Sequence, residues 1–147
     1  MRDLTAILLD GAKRNPEHFA DARLLMEQLA AEFEEALEDR FTVTVDCCRC
    51  SAFAAAFDVQ ELRRIFDNLS SNVEKYADPA TPVSLSIAIE GGLLQITQTN
   101  RVITPKPQSE SYGIGLSSIR RILQQYGGQL SYAEDCGQFS IVLTFPL

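Results

Sequence analysis

Residues 58–79 read DVQELRRIFDNLSSNVEKYADP, and they predict one amphipathic helix with clear ends. Asp58 is a typical N-cap residue, and Glu61 three positions later completes the pattern of a capping box. Pro79 ends the helix, because proline disfavours helical geometry at its own position and at the residue before it. The apolar stripe follows the 3.6-residue period of a helix, at Leu62, Ile65, Phe66, Leu69 and Val73.

A row of polar residues lies beside this stripe. Asn68, Asn72, Lys75 and Tyr76 are spaced i, i+4, i+7 and i+8, so they share one face of the helix. Asparagine is a mediocre helix former, and two asparagines on one face indicate a function. Amide oxygens suit Mg²⁺ as hard ligands, and a lysine supplies a positive charge for phosphate. A solvated helix face is the alternative interpretation, and the row alone leaves both open.

A second predicted helix begins with glycines. Residues 112–116, YGIGL, follow a loop and directly open this helix. Glycine lets the backbone approach a ligand closely, and the unpaired N–H groups of a first helical turn attract anions. Together with the asparagines, these glycines indicate a site for a phosphate ligand and its metal ion.

The rest of the chain predicts one more helix and several strands. Residues 19–41 have the period of an amphipathic helix, and residues 41–47 alternate as a half-buried strand does. Residues 51–58 give a weaker signal for a short strand paired with it. Residues 83–100 and 129–147 predict hairpins. These alternating blocks favour one mixed or antiparallel sheet with helices on one face.

Length and composition fit one globular domain. At 147 residues the chain can bury a core without disulfides or metals. The net charge of −7 argues against a nucleic-acid-binding protein, since affinity for phosphate backbones needs a basic face. The sequence has neither an apolar run long enough to span a bilayer nor a signal-peptide pattern, so we expect a cytoplasmic location without membrane contact by this part.

Three of the four cysteines are crowded into residues 47–50, CCRC. Such crowding does not build a disulfide framework, and reduced thiols are the usual state in the cytosol. Cys47 and Cys50 have the C-x-x-C spacing of zinc sites, with Cys136 as a third candidate ligand. The only histidine, His18, is far away in the sequence, so we expect reduced thiols rather than a zinc site.

Two motifs and their order resemble a known family. RRIFDNLSSNVEKYADP, residues 63–79, resembles the asparagine box of the ATP-binding catalytic domain of sensor histidine kinases, within the superfamily of gyrase, heat-shock chaperone, histidine kinase and mismatch-repair ATPases. YGIGLSSIRRILQQYGGQLSY and the closing GQFSIVLTFP resemble its second glycine box and last strands. The resemblance implies an α+β two-layer sandwich, the Bergerat-type ATP-binding fold, with a mixed, mostly antiparallel sheet and about three helices on one face.

By this resemblance the polar row binds Mg-ATP. Asn72 would be the principal Mg²⁺ ligand, and Asn68 would support the metal or the phosphates. Lys75 would contact phosphate, and Tyr76 would lie against the nucleotide.

The resemblance also assigns the glycine-led helix start and the loop before it. Residues 101–112 would form a mobile lid, with Lys106 as a phosphate contact. The phosphates would be held by the backbone N–H groups of Gly113, Ile114, Gly115 and Leu116.

The sequence departs from the family pattern at the base-binding position. The first glycine box of the family starts with an aspartate that accepts a hydrogen bond from the adenine amino group. Here Asn100 stands at the end of the matching strand, and no glycine follows it in NRVITP. An amide oxygen can accept the same bond, but as a neutral group it binds more weakly than a carboxylate.

The phosphoacceptor histidine of the family is also missing. That histidine lies on a helix before an acidic residue, whereas His18 is followed by Phe19 and closely preceded by Pro16. We expect residues 1–19 to be the end of a dimerisation-domain helix and a linker, and residues 20–147 to be the ATP-binding catalytic domain, which alone should not autophosphorylate.

The expected function is therefore that of the ATP-binding catalytic module of a two-component sensor histidine kinase, a transferase of signal transduction. Its expected partners are the histidine-containing dimerisation domain and a response regulator, and a homodimer is a further option. The full protein could be membrane-anchored, with this part in the cytoplasm. Two alternatives stay open: a stand-alone serine kinase of the anti-sigma-factor type, and a degenerate nucleotide-binding fold that acts as a protein-interaction module.

Overall fold

The computed structural model describes residues 14–103 and 113–147, with only the backbone of residues 113–115. The predicted hairpins and the two helices that carry the motifs are present. In chain order the elements are β1 (Glu17–Phe19), α1 (Arg23–Leu37), β2 (Val43–Arg49), β3 (Ala55–Phe57), α2 (Val59–Tyr76), β4 (Val83–Glu90), β5 (Leu93–Arg101), α3 (Gly113–Gln125), β6 (Gln129–Asp135) and β7 (Gln138–Pro146).

Five strands form the main sheet, in the order β2-β4-β5-β7-β6. β2 runs parallel to β4, and the other neighbouring strands are antiparallel. Two-residue turns close both hairpins, with φ of 58° and 77° at Gly91 and Gly92, and of 52° and 79° at Cys136 and Gly137. Positive φ at both central positions matches the twist of the flanking strands. The sheet is therefore mixed and mostly antiparallel, as predicted.

One face of this sheet and the helices enclose the core. Every second residue of β4, β5 and β7 points inward, and all of these residues are buried except the partly buried Ile89. α1 packs on β2, α3 packs on β6 and β7, and α2 packs against both of these helices. The chain thus forms the two-layer α+β sandwich that the motifs implied. None of the helices in the described ranges is long and apolar enough to cross a membrane.

Asp58 caps α2 as predicted. Its Oδ1 accepts hydrogen bonds from the backbone N–H groups of Gln60 at 2.9 Å and Glu61 at 3.2 Å. The carboxylate of Glu61, which the sequence pattern assigned to a capping box, binds Arg14 and the hydroxyl of Tyr126. The start of α2 is therefore fixed by long-range contacts as well as by its own cap.

Two predicted details were wrong. β3 pairs antiparallel with β1, not with β2, so it belongs to a separate two-stranded ribbon. α1 begins at Arg23 instead of Phe19, because Phe19 is the last residue of β1. β1 lies within residues 1–19, where the resemblance implied the end of a dimerisation-domain helix and a linker, and its pairing attaches residues 17–19 to the fold.

Candidate functional site

The polar row of α2 spans a range of burial. Asn72 is 8% exposed and Tyr76 is buried, whereas Asn68 is half-buried and Lys75 is exposed. The Nδ2 atom of Asn72 is buried and has no hydrogen-bond partner within residues 14–103 and 113–147. A buried polar atom without a partner costs about 1–3 kcal/mol. Because Nδ2 is a donor, it fits a ligand that brings an acceptor, such as a phosphate oxygen.

Backbone hydrogen bonds join the end of this row to the end of β5. The N–H group of Ile103 donates to the carbonyl oxygen of Tyr76 at 2.7 Å. The N–H group of Asp78 donates to the carbonyl oxygen of Arg101 at 2.8 Å. The last turn of α2 therefore lies beside the strand end that carries Asn100.

Asn100 belongs to a buried pair of amides on the inward face of β5. Gln98 Nε2 donates to Asn100 Oδ1 at 3.0 Å, and Asn100 Nδ2 donates to the carbonyl oxygen of Arg101 at 3.0 Å. Gln98 is 1% exposed and Asn100 is 4% exposed. The sequence analysis missed Gln98, although a signal was present: residues two apart on a strand share a face, so an inward Asn100 implies an inward glutamine.

α3 begins at Gly113, as the glycine-led pattern predicted. The side chain of Leu116 is buried, so this residue can offer a ligand only its backbone. At the other end of the helix, the hydroxyl of Tyr126 donates to Glu61 Oε1 at 2.6 Å and accepts from the N–H group of Asp58 at 3.0 Å. The C-terminal end of α3 is thus attached to the N-terminal end of α2.

Most of the predicted lid, including Lys106, lies outside the described residues, as does the side chain of Ile114. The first three lid residues, 101–103, are described and hydrogen-bonded. The N–H group of Val102 donates to the carbonyl oxygen of Gly137 at 2.8 Å, in addition to the contact between Ile103 and Tyr76. Residues 102 and 103 are therefore attached to the turn between β6 and β7 and to the end of α2.

A charged network occupies the end of α2 away from the asparagines. The guanidinium of Arg14 binds the carboxylate of Glu61 at 2.8 and 3.2 Å and lies 5.0 Å from the ring centre of Tyr126. The N–H group of Asn15 donates to Asp58 Oδ2 at 2.8 Å. The hydrogen bond to Glu61 raises the pKa of Arg14, and burial followed by the bond to Glu61 raises the pKa of Tyr126 to about 12. This network holds Arg14 and Asn15 against the start of α2 and against Tyr126, just after α3.

The cysteines do not form an evident metal centre. All four are free thiols, and burial raises the pKa of Cys47 and Cys50. A raised pKa favours the thiol over the thiolate that zinc requires. Among the described residues, no group of three His, Cys, Asp or Glu side chains could hold a metal ion.

Residues 57–147 match the sequence family described as histidine kinase-, DNA gyrase B- and HSP90-like ATPase. The chain belongs to this family. The matched region contains α2, the end of β5 and α3, and so includes both motifs. The resemblance that these motifs carried is thereby confirmed.

Sensor proteins are similar to this chain in sequence. Sensor histidine kinase YrkQ of Bacillus subtilis (strain 168) is 33% identical over 88 residues, which cover 60% of this chain and 20% of YrkQ. Sensor protein VanSC of Enterococcus gallinarum is 27% identical over 130 residues, which cover 76% of this chain and 36% of VanSC. The chain thus spans only about a fifth to a third of the length of these curated relatives.

Solved histidine kinase structures share the fold. A histidine kinase from Burkholderia phymatum STM815 superposes with a TM-score of 0.73 at 15% identity, over 97% of this chain and 76% of that one. The catalytic domain of the histidine kinase ThkA superposes with a TM-score of 0.69 at 14% identity, over 90% of this chain and 97% of that domain. At such low identity the likeness shows the α+β fold alone.

Proposed function

We propose that this chain is the ATP-binding catalytic module of a two-component sensor histidine kinase. It binds Mg-ATP between the C-terminal half of α2, the end of β5 and the first turn of α3. The observation that carries the proposal is Asn72. Its amide is buried on the helix that bears the asparagine box of an ATP-binding family, with one polar atom that the described chain does not satisfy.

The packing of α2 against α3 supports one site for both motifs. Tyr126, just after α3, is bound to Glu61 in the first turn of α2. α3 has 13 residues, and both helices rise by about 1.5 Å per residue. From Tyr126, α3 therefore extends along α2 for about the distance from Glu61 to the C-terminal turns of α2. This brings the first turn of α3 level with the last turns of α2, which carry Asn72 and Tyr76.

Asn72 and Asn68 fit a magnesium site. Amide oxygens are hard ligands of the kind that Mg²⁺ takes alongside water and phosphate oxygens. Asn72 would hold the ion through Oδ1, and Asn68, one turn earlier, would support the ion or the phosphates. The bound ion would neutralise charge on the transferred phosphoryl group. Lys75, exposed at the same end of α2, would contact phosphate, and Tyr76 would lie against the nucleotide.

The remaining contacts come from the backbone and from β5. The N–H groups of residues 113–116 would bind the phosphates, because a first helical turn offers unpaired donors and a positive dipole end. Lys106 would add a phosphate contact. Asn100 Oδ1 has a second lone pair besides the one used by Gln98, and it would accept from the adenine amino group.

The attacking imidazole would come from a histidine-containing dimerisation domain. His18 is exposed in β1, paired with Ala56 in the ribbon, and not on a helix. In this proposal residues 1–19 are the end of the dimerisation-domain helix and the linker, and a response regulator receives the phosphoryl group. The chain would be the cytoplasmic part of the sensor.

Calorimetric titration with Mg-ADP tests the proposal. We expect a dissociation constant on the order of micromolar to millimolar. Asn72→Ala should abolish the magnesium-dependent part of the affinity while the melting temperature stays within a few degrees. Glu74→Ala, at an exposed position of the same helix, is the matched control and should bind as the parent does.

The outcomes separate the alternatives. Absence of heat and of thermal stabilisation at millimolar Mg-ADP would favour a degenerate fold that binds only other proteins. Parent-like binding by the Asn72 variant would disprove the metal assignment. Acid-stable phosphoserine on a small partner protein, in place of acid-labile phosphohistidine, would favour the serine kinase.

A further inference from the structure

The inward face of β5 changes from apolar to polar along the strand. Leu94 and Ile96 are buried core residues, and the next two inward positions are Gln98 and Asn100. An isolated amide is a poor choice for a sheet face that covers a core, because each polar atom must find a partner there. The two amides therefore need an explanation beyond packing.

The neighbours of Gln98 in the sheet are apolar. Across the sheet it is paired with Leu85 of β4 and Ile141 of β7, and both of these are buried. An aliphatic side chain at position 98 would match these neighbours. Gln98 instead brings two polar groups, and only its Nε2 is used, in the bond to Asn100.

The direction of the hydrogen bonds determines which atom remains free. The carbonyl oxygen of Arg101 can only accept, so the nearby atom of Asn100 is its Nδ2 donor. Asn100 Oδ1 consequently faces Gln98 and accepts from Gln98 Nε2. Gln98 Oε1 is left as a buried acceptor without a partner in the part of the chain that the structure describes. The pair of amides therefore has one free acceptor, the Oε1 atom of Gln98, next to Asn100.

We propose that Gln98 is a base-specificity residue, whose Oε1 accepts a hydrogen bond from the exocyclic amino group of adenine. This inference rests on the proposed ATP site, in which Asn100 meets the base. The missing partner must be a donor, which adenine supplies at its amino group and hypoxanthine does not. The amino group carries two N–H donors, so one can bind the second lone pair of Asn100 Oδ1 while the other binds Gln98 Oε1.

Base-modified nucleotides test the inference. The dissociation constants of Mg-ADP and of the magnesium complex of purine riboside 5′-diphosphate, which lacks the amino group, are measured for the parent and for Gln98→Met. We expect the parent to prefer ADP by about tenfold, the upper range for one net hydrogen bond. In the methionine variant, which keeps a side chain of similar length, this preference should fall at least threefold. Thr97→Val, on the outward face of β5, is the control and should keep the parent's preference.

Several results would overturn the inference. Equal affinity of the parent for the two nucleotides does so without any variant, so the test does not depend on how Gln98→Met folds. An unchanged preference in Gln98→Met, even with both affinities weakened, would show that Gln98 supports the site without reading the base. Failure of the parent to bind either nucleotide would refute the proposed function itself, and this inference with it.

Discussion

Replacement of Tyr126 with phenylalanine should destabilise the fold by more than the loss of one oxygen atom suggests. The hydroxyl makes two hydrogen bonds, to the carboxylate of Glu61 and from the N–H group of Asp58. The ring packs edge-on against Phe57 and Phe145 at 5.6 and 5.5 Å between centres, and phenylalanine keeps these contacts. A bond between neutral groups contributes about 0.5–1.5 kcal/mol and one to a charged group about 1.5–3 kcal/mol. The free energy of unfolding should therefore fall by about 2–4 kcal/mol.

Urea denaturation at pH 7 measures this loss. A double-mutant cycle with Glu61→Gln separates the bond to Glu61 from the other effects of each substitution, and a coupling energy above about 1 kcal/mol is expected. A total loss below about 0.5 kcal/mol, the range of ordinary surface substitutions, would refute the idea that this hydroxyl joins α2 to α3.

The pKa of Tyr126 adds a second readout from the same variant. Burial, and then the bond to Glu61, raise this pKa from 10.0 to about 12, so the folded state holds the proton more tightly than the unfolded state does. The stability that depends on this proton is complete below pH 10 and is lost as the pH rises towards 12. The parent should therefore lose more stability across this window than Tyr126→Phe does.

Two further predictions concern the cap of α2 and the turn after α3. Burial opposes ionisation of Asp58, but hydrogen bonds from the N–H groups of Asn15, Glu61 and Gln60 outweigh it and lower the pKa. The stability that this carboxylate contributes is therefore present above about pH 4 and is lost as the pH falls through the folded pKa. In urea denaturation between pH 6 and 3, the free energy of unfolding should fall less steeply for Asp58→Asn than for the parent. Equal slopes for the two proteins would contradict this. In Gly128→Ala the new Cβ would lie 2.2 Å from the carbonyl oxygen of Thr144, a backbone atom that cannot rotate away. We expect a loss of at least about 1–3 kcal/mol, and a melting temperature equal to that of the parent would count against it.

Local patterns predicted the elements that carry the motifs. The cap, the apolar period and Pro79 predicted a helix from 59 to about 77, and α2 spans Val59–Tyr76. The hairpins were predictable for a similar reason, since three of their four turn residues, Gly91, Gly92 and Gly137, are glycines that accept positive φ. Each of these signals acts within a few residues of the chain.

The failures concern elements that depend on distant partners. Phe19 fits the helical period of residues 19–41, but its backbone pairs with Ala55 in the ribbon of β1 and β3. The alanines of β3 have little strand propensity, and the pairing with β1 supplies the hydrogen bonds that propensity could not predict. Gln98 was missed for a related reason, because its importance depends on which face of β5 turns towards the core.

The two ends of the α2–α3 pair differ in how their polar groups are satisfied. At one end Asp58, Glu61 and Tyr126 form a closed set of hydrogen bonds that needs no ligand. At the other end, along α2 and β5, Asn72 and Gln98 each keep a buried atom without a partner in the described chain. The hydrogen bonds around Tyr126 can hold the helices together and so offset the free-energy cost of the unsatisfied atoms of Asn72 and Gln98. Proteins are expected to show such compensation where function conflicts with local stability. It follows that Tyr126→Phe should lower stability and keep the preference for adenine. Gln98→Met should weaken the preference with little change in stability, because it removes the unsatisfied Oε1 but also the donor to Asn100 Oδ1. If both substitutions changed stability and the preference for adenine to the same degree, the idea that one end stabilises the fold and the other binds the ligand would be wrong.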